Sequence, residues 1–344
     1  MSNILITCAG KRVSLVRSFK TELKLIFSDS KVYTTDSSPE KSAACRVSDG
    51  YFKVSPVTHY NYIDDLLQIA IDNNIKLIIP TIDPELLVLS QNIDLFKKHH
   101  IEILISDYEN IETLINKRLT NVFFKKLGIN YAKEFDKDNF TLPLYIKPID
   151  GSRSIDNYIV KKESELTAYH FSNEKLLFFE YLEHTDFTEY TIDMYFDKTN
   201  NLKCLIPRER LEIRAGEVNK AITRRTWFID EIASKFKHIS GLRGCISLQL
   251  FVNNETEILY GIEINPRFSG GFPLSYLAGG NYPKWIIQEY ILGESQLAYH
   301  EDWEENLMML RYDDEILIRD YDSVREIKFN TNKSEKITID KKTL

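Results

Sequence analysis

The chain has 344 residues, 43% of them hydrophobic and 28% charged, with a formal net charge of −7. That balance is ordinary for a globular protein long enough for two or three cores, and it gives no reason to expect nucleic acid, although a local basic cluster can still bind phosphate. The apolar run at residues 4–8 is too short for a signal peptide or a membrane span and no later run is long enough, so no membrane is expected. Cys8, Cys45, Cys204 and Cys245 show neither CxxC spacing nor clustering with His, the pattern of reduced thiols in a cytoplasmic protein.

In chain order, NILITCAG reads as a short apolar strand, carrying Cys8, that runs into a Gly turn, and KRVSLVRSFKTEL as a helix. KVYTTDSS is a second strand, and YIDDLLQIAIDNN an amphipathic helix with Ile63, Leu66, Leu67, Ala70 and Ile71 on one side. KLIIPT is an apolar strand, PELLVLSQNIDLFKKH a helix opened by Pro84, and IEILIS a closing strand. Strands alternating with helices predict a parallel sheet covered on both faces. Gly10 alone is far from a GxGxxG fingerprint, so a dinucleotide cofactor is not expected there.

From Asn110, NIETLINKRLTNVFFKKLGI reads as a helical linker ending at Gly128. LPLYIKP is a strand, DGSRSIDN a small polar loop, YIVKKE a strand, SELTAYHFS a short helix, and LLFFEYLEH an apolar strand running into acidic residues. FTEYTIDMYFD and LKCLIPRERLEI are long alternating strands of an antiparallel sheet, and RTWFIDEIASKFKHISG is a helix. After a hairpin, the tail from about Asn306 reads as short strands, LMMLRY and EILIRD.

The hairpin, GCISLQLFVNNETEILYGIEINPRFSGG, is the densest stretch. Its first strand places Ile246, Leu248, Leu250 and Val252 on one face and Ser247, Gln249 and Phe251 on the other. The second places Ile258, Tyr260, Ile262 and Ile264 on one face and Gly261, Glu263 and Asn265 on the other. With a turn over residues 253–257, Gln249 lies close to Glu263. Three oxygen-bearing side chains then meet on an otherwise apolar hairpin, a donor set that suits Mg²⁺ completed by phosphate and water. Arg267 follows at the strand end. A solvated edge face is the plain alternative.

Other residues carry chemistry. Lys147 sits in the apolar run Leu144–Ile146, where a buried charge is costly unless paired, and a phosphate would pair it. Gly151, Ser152, Arg153 and Ser154 can offer N–H groups and hydroxyls to phosphate oxygens, or form an ordinary turn. Arg208 and Arg210 share a strand face by period two, with Arg214 beyond; such arginines hold carboxylates or phosphates, or form an ion-pair ladder with Glu209 and Glu212. The histidines at 59, 99, 100, 184 and 238 lack ligand spacing.

Taken in order, Lys117, Lys147 with its Gly/Ser loop, Glu180, Glu189, Gln249 and Glu263-x-Asn265-Pro-Arg267 resemble the ATP-grasp superfamily of carboxylate–amine ligases, over about residues 1–310. The likeness is to its carbamoyl-phosphate-synthase-like members and to the pyrrolysine-biosynthesis ligase. The resemblance implies an ATP-grasp fold of mixed α/β and α+β class. Residues 1–110 would form a parallel-sheet pre-ATP-grasp domain and 111–185 a linker helix and small lid domain. Residues 186–344 would form an antiparallel-sheet metal and substrate domain with the C-terminal strands. It makes ATP the cofactor, with Mg²⁺ or Mn²⁺ held by Gln249, Glu263 and Asn265. Gln249 stands where many members have Asp or Glu; carbamoyl-phosphate-synthase-like members also use Gln there.

The resemblance also assigns Lys117, Lys147, Gly151, Ser152 and Ser154 to the nucleotide phosphates, with Gly151–Ser154 a mobile loop over the triphosphate. The hinge Glu180-Tyr181-Leu182 would hold adenine, and Glu180, Glu183 or Glu189 the ribose. Lys147, Arg267 and Arg210 would be catalytic, and Arg208, Arg210 and Arg214 would hold the anionic group of the co-substrate. The expected partners are a small-molecule carboxylate and an amine, joined through an acylphosphate; a homodimer is left open. Two alternatives stand: a carboxylase-type ATP-grasp enzyme, and a nucleotide-binding regulatory protein with a degenerate site.

Overall fold

The computed structural model describes residues 2–149, 156–183, 185–214, 216–294, 298–319 and 321. β1 (Asn3–Ile6), β2 (Val32–Asp36), β3 (Tyr51–Lys53), β4 (Ile75–Ile79) and β5 (Glu102–Ile103) form a parallel sheet in the order β3-β2-β1-β4-β5. Its strands are apolar on both faces because both are covered. Ile4 and Ile6 pack toward helix Val13–Ile26, while Leu5 and Ile78 join Leu66 and Ile69 of helix Tyr62–Asp72. Strand order reverses between β1 and β4, and a crevice at the carboxyl ends of strands at such a point is the usual ligand position in open α/β sheets.

Three sequence expectations need correction here. The strand expected through Cys8 stops at Ile6, and Cys8 lies in a turn with φ 49°. The helix opened by Pro84 is two, Asp83–Ser90 and Ile93–Lys97. β3, which carries only three residues, was not expected at all.

The linker after Asn110 also breaks, into Tyr108–Ile115 and Lys117–Lys126. Asn116 caps the second helix: its side-chain oxygen accepts from the N–H groups of Arg118 and Leu119, at 3.0 and 3.2 Å. A short side chain that hydrogen-bonds backbone favours such an end over a helix interior. Lys117 is thereby fixed at the first turn, and its N–H donates to the Ile149 carbonyl at 3.2 Å.

β6 (Asn130–Tyr131) leaves this helix for a sheet described below. β7 (Glu134–Phe135), β8 (Leu144–Pro148), β9 (Tyr158–Val160) and β10 (Leu176–Glu180) form a small antiparallel sheet, order β7-β10-β8-β9. Leu144, Ile146, Val160, Leu176 and Phe178 are its core.

β11 (Phe187–Phe196), β12 (Leu202–Arg214), β13 (Glu217–Thr223), β14 (Gly244–Asn253), β15 (Leu259–Asn265) and β16 (Met308–Leu310) form the large sheet with β6, order β16-β13-β12-β11-β14-β15-β6. All neighbours are antiparallel except β15 and β6. One face packs Ile192, Met194, Leu248 and Leu250 on helices Lys117–Lys126 and Ile229–Lys235. On the other, Tyr195, Cys204, Ile206 and Cys245 share a core with β1 and with Trp285. β13 was not expected, and the strand expected at EILIRD is absent over 315–319. Among the described residues, no helix is long and apolar enough to cross a membrane.

Candidate active site

A cavity of about 250 Å³ lies between the small and large sheets. Lys117, Tyr145, Lys147, Glu180, Tyr181 and Leu182 line it from one side; Glu189, Arg210, Gln249 and Glu263 line it from the other. Nine of these ten were singled out from sequence. Gly151, Ser152 and Ser154 lie outside the described residues.

Alternation on β8 explains the lysine. Leu144, Ile146 and Pro148 are buried, so Tyr145 and Lys147 face the cavity. Lys147 sits opposite Leu177, and its Nζ lies 4.7 Å from the centre of the Phe179 ring. Burial pushes the Lys147 ammonium down to about 8, Lys117 adds to the shift, and Glu263 opposes it. The cavity therefore holds a lysine whose charge is poorly compensated.

After β10 the chain leaves the sheet. The Glu180 N–H donates to the Lys133 carbonyl at 2.8 Å, and the Lys133 N–H returns to Glu180 Oε2 at 3.2 Å. The Tyr181 N–H reaches the Pro143 carbonyl at 3.4 Å, whereas the Leu182 N–H has no hydrogen-bond partner among the described residues. Glu183 does not line the cavity; its carboxylate accepts from Lys161 at 2.9 Å and from the Tyr181 hydroxyl at 3.2 Å.

On the hairpin, Gln249 pairs with Glu263, as the turn position predicts. Asn265 Nδ2 donates to Glu263 Oε1 at 2.8 Å, so the two side chains lie together. The faces nearer the turn differ from expectation. A bulge sets Gln249 opposite Glu263 but Leu250 opposite Gly261, leaving Ile262 as the extra residue. Gly261 therefore faces Phe124 in the core, and Tyr260 moves to the side of Phe187 and Phe251.

The donor set is one carboxylate and two amide oxygens. Among the described residues no trio of His, Cys, Asp or Glu forms a metal cluster. One carboxylate with neutral oxygens is nevertheless what Mg²⁺ uses when phosphates supply the remaining ligands. Gln249 and Glu263 line the cavity and suit that ion, whereas Asn265 is not among the lining residues and its oxygen accepts from Arg267 at 3.1 Å.

The three arginines of β12 part company. Arg208 is fully buried and paired with Asp193: its Nε donates to Oδ2 at 2.8 Å and its Nη2 to Oδ1 at 3.2 Å. Ser247, Ser269 and Ser275 also donate to the Asp193 carboxylate, at 3.0, 3.0 and 2.7 Å. Arg210 lies in the cavity, its Nη1 donating to Glu189 Oε1 at 2.5 Å and to Gln249 Oε1 at 3.1 Å. Arg214 lies past a register shift in β12, on the surface, where it meets the exposed Asp313 at 3.1 Å. The cavity thus receives one of the three.

Arg267 does not line the cavity but ends a chain that leads from it. Asp83 grips the guanidinium with both oxygens, at 2.7 Å from Nε and 2.6 Å from Nη2. Nη2 also donates to Asn265 Oδ1 at 3.1 Å. Burial works against the Arg267 charge, but Asp83 outweighs it and raises the pKa. Sequence reasoning missed Asp83 and Asp193. Asp83 follows the end of a parallel strand at the order reversal, and Asp193 interrupts an apolar strand alternation; both signals were present. Glu85, also missed, is fully buried behind the same crevice, accepts from the Tyr62 hydroxyl, and is pushed up to about 7 by burial.

Two antiparallel sheets close on one polar cavity behind a parallel sheet, and the fold is the ATP-grasp fold. Residues 4–104 match the family described as PylC-like, N-terminal domain, and residues 172–313 the family described as ATP-grasp in the biosynthetic pathway with Ter operon. No curated protein matches the chain.

Among solved structures, the fold is similar to the biotin carboxylase domain of Hydrogenobacter thermophilus 2-oxoglutarate carboxylase, determined with MgADP, ADP and bicarbonate. The TM-score is 0.68 and the identity 16%, over 89% of this chain and 73% of that one. Campylobacter jejuni biotin carboxylase gives a TM-score of 0.67 at 12% identity, over 89% and 74%. Staphylococcus aureus N5-carboxyaminoimidazole synthetase, complexed with ADP, gives 0.66 at 16%, over 86% and 79%.

Proposed function

We propose that the protein is an ATP-dependent ligase that activates a carboxylate as an acylphosphate and joins it to an amine, releasing ADP and phosphate. The observation that carries this reading is the meeting of Lys147, the 180–182 segment, Gln249 and Glu263 in one cavity. Leu182 offers adenine a backbone N–H that has no partner among the described residues, and Glu180, beside it, accepts from the ribose hydroxyls. Lys117 and Lys147 neutralise the phosphates. Gln249, Glu263 and Asn265 would hold Mg²⁺, which supplies charge at the β- and γ-phosphates. The substrate carboxylate oxygen attacks the γ-phosphorus and the bond to ADP breaks. The amine nitrogen then attacks the acyl carbon, phosphate leaves, and the amine loses its proton. Positioning and electrostatics are what such a transfer needs from the protein, and Arg210 and Arg267, each held by a carboxylate, are pre-oriented for it.

The test is ADP release with a panel of amino acids and amines, on the wild type and on Glu263→Ala. Turnover is expected for at least one carboxylate–amine pair, and its loss in the variant by more than about 100-fold, since groups merely behind metal ligands already cost 10–100-fold. Nucleotide binding through the 180–182 segment should survive. Full turnover in Glu263→Ala would remove the metal assignment. ADP release with bicarbonate and no amine would instead move the reading to carboxylation.

A further inference from the structure

At the carboxyl ends of β1 and β4 four cations gather around Glu217 and Asp83, which offset only part of their charge. Arg12 begins the helix after β1, and the only hydrogen bond of its guanidinium among the described residues is a long one, Nη2 to the Thr81 carbonyl at 3.4 Å. Its Nη1 lies 3.9 Å from where a Cβ on Gly270 would stand, so it reaches the turn that follows Arg267. Around it Lys11 and Arg311 share Glu217, at 3.1 and 3.3 Å, and Arg267 takes Asp83. Among the described residues Arg12 alone of the four has no carboxylate in ion-pair contact, although Glu217 and Asp83 lie near enough to act on it.

Burial pushes the Arg12 guanidinium down to about 10 and Arg267 adds to the shift, while Glu217 and Asp83 oppose it without cancelling it. Holding a half-buried guanidinium beside like charge is unfavourable unless an anion joins it. A planar donor fork suits a carboxylate, and the position is where open α/β sheets take ligands.

We infer that Arg12 is the centre of a carboxylate-binding subsite in the β1/β4 crevice, with Arg267 as its neighbour, and that it takes a carboxylate of the co-substrate. The co-substrate role rests on the ligase reading above; the anion subsite itself does not. It stands beside the sequence expectation that the β12 arginines hold this group, of which Arg210 lines the cavity while Arg208 and Arg214 are paired elsewhere.

The experiment titrates succinate against thermal melting of the full chain, with sodium chloride at matched ionic strength as the blank and a separate MgADP series. Succinate is expected to raise the melting temperature of the wild type and of Arg17→Gln, an exposed arginine on the same helix. Arg12→Gln, which keeps a donor for the Thr81 carbonyl, should weaken the apparent succinate affinity by at least about tenfold, as loss of a bidentate fork predicts. No succinate effect on the wild type, or an equal one on Arg12→Gln, overturns the subsite. If Arg12→Gln does not fold, phenylglyoxal labelling of wild-type Arg12, read by peptide mass, decides: succinate should slow it, and an unchanged rate overturns the inference. A missing MgADP shift would count against the ligase reading alone and leave the succinate result standing.

Discussion

At the scale of single residues the site is defined by unequal compensation. Arg210 meets Glu189 and Gln249, Arg267 meets Asp83, and Lys147 has a ring face and a distant carboxylate. Its lowered pKa has a definite sign. Between about 8 and the ordinary lysine value the folded protein binds fewer protons at this site than the unfolded chain, so this contribution to stability rises with pH across that window. A phosphate beside Lys147 restores the charged form. MgADP binding at pH 8.5 should therefore take up protons, and affinity should fall as pH rises through about 8. Calorimetry in buffers of different ionisation heat measures the uptake. Lys147→Met should abolish it and weaken binding by about 1.5–3 kcal/mol, the range for a hydrogen bond to a charged group. Equal uptake in wild type and variant would take Lys147 out of phosphate contact.

At the scale of elements, the bulge in β15 decides which side chains reach the cavity. The sequence alternation correctly joined Glu263 with Asn265 and set Gln249 opposite Glu263, because those residues lie on one side of the bulge. It misassigned Tyr260 and Gly261, because one inserted residue reverses every face beyond it. Gly261 is the residue the close packing requires: a Cβ there would stand 2.6 Å from the Phe124 ring. Gly261→Ala should destabilise the fold by about 1–3 kcal/mol, the usual range for overpacking, seen as a lower urea midpoint with an unchanged slope. A neutral effect would mean that Phe124 swings aside freely. The register shifts in β12 act similarly, bringing Ile213 to the cavity and Arg214 to the surface.

At the scale of the whole molecule, two ionic groups tie the parts together, one half-buried and one fully buried. Asp83 reaches from the parallel-sheet half to Arg267 at the end of β15, and through it to Asn265 and Glu263. Arg208 and Asp193 fix β12 to β11, and three serines bring β14 and the 269–275 segment to the same carboxylate. Removing one partner of such a pair leaves a buried charge. Arg208→Leu should cost about 3–5 kcal/mol, read as a fall in melting temperature, while the molecules that stay folded keep a normal KM for the carboxylate substrate. A changed KM at unchanged stability would return Arg208 to the substrate-binding role that its sequence position suggested.

Local pattern determined much of this protein on its own. Apolar runs between helices require a covered parallel sheet, long alternating strands require an antiparallel one, and period two places Lys147, Glu263 and Asn265 on polar faces. Those are properties of neighbouring residues, and neighbours are what a sequence displays. Only the tertiary structure decided which arginine reaches the cavity, because Arg208, Arg210 and Arg214 differ in what lies across the sheet and not in their own surroundings along the chain. Bulges and the Asp83–Arg267 pair belong to the same class. Each depends on contacts between segments distant in sequence, where burial and charge compensation select one arrangement from several that local propensity allows.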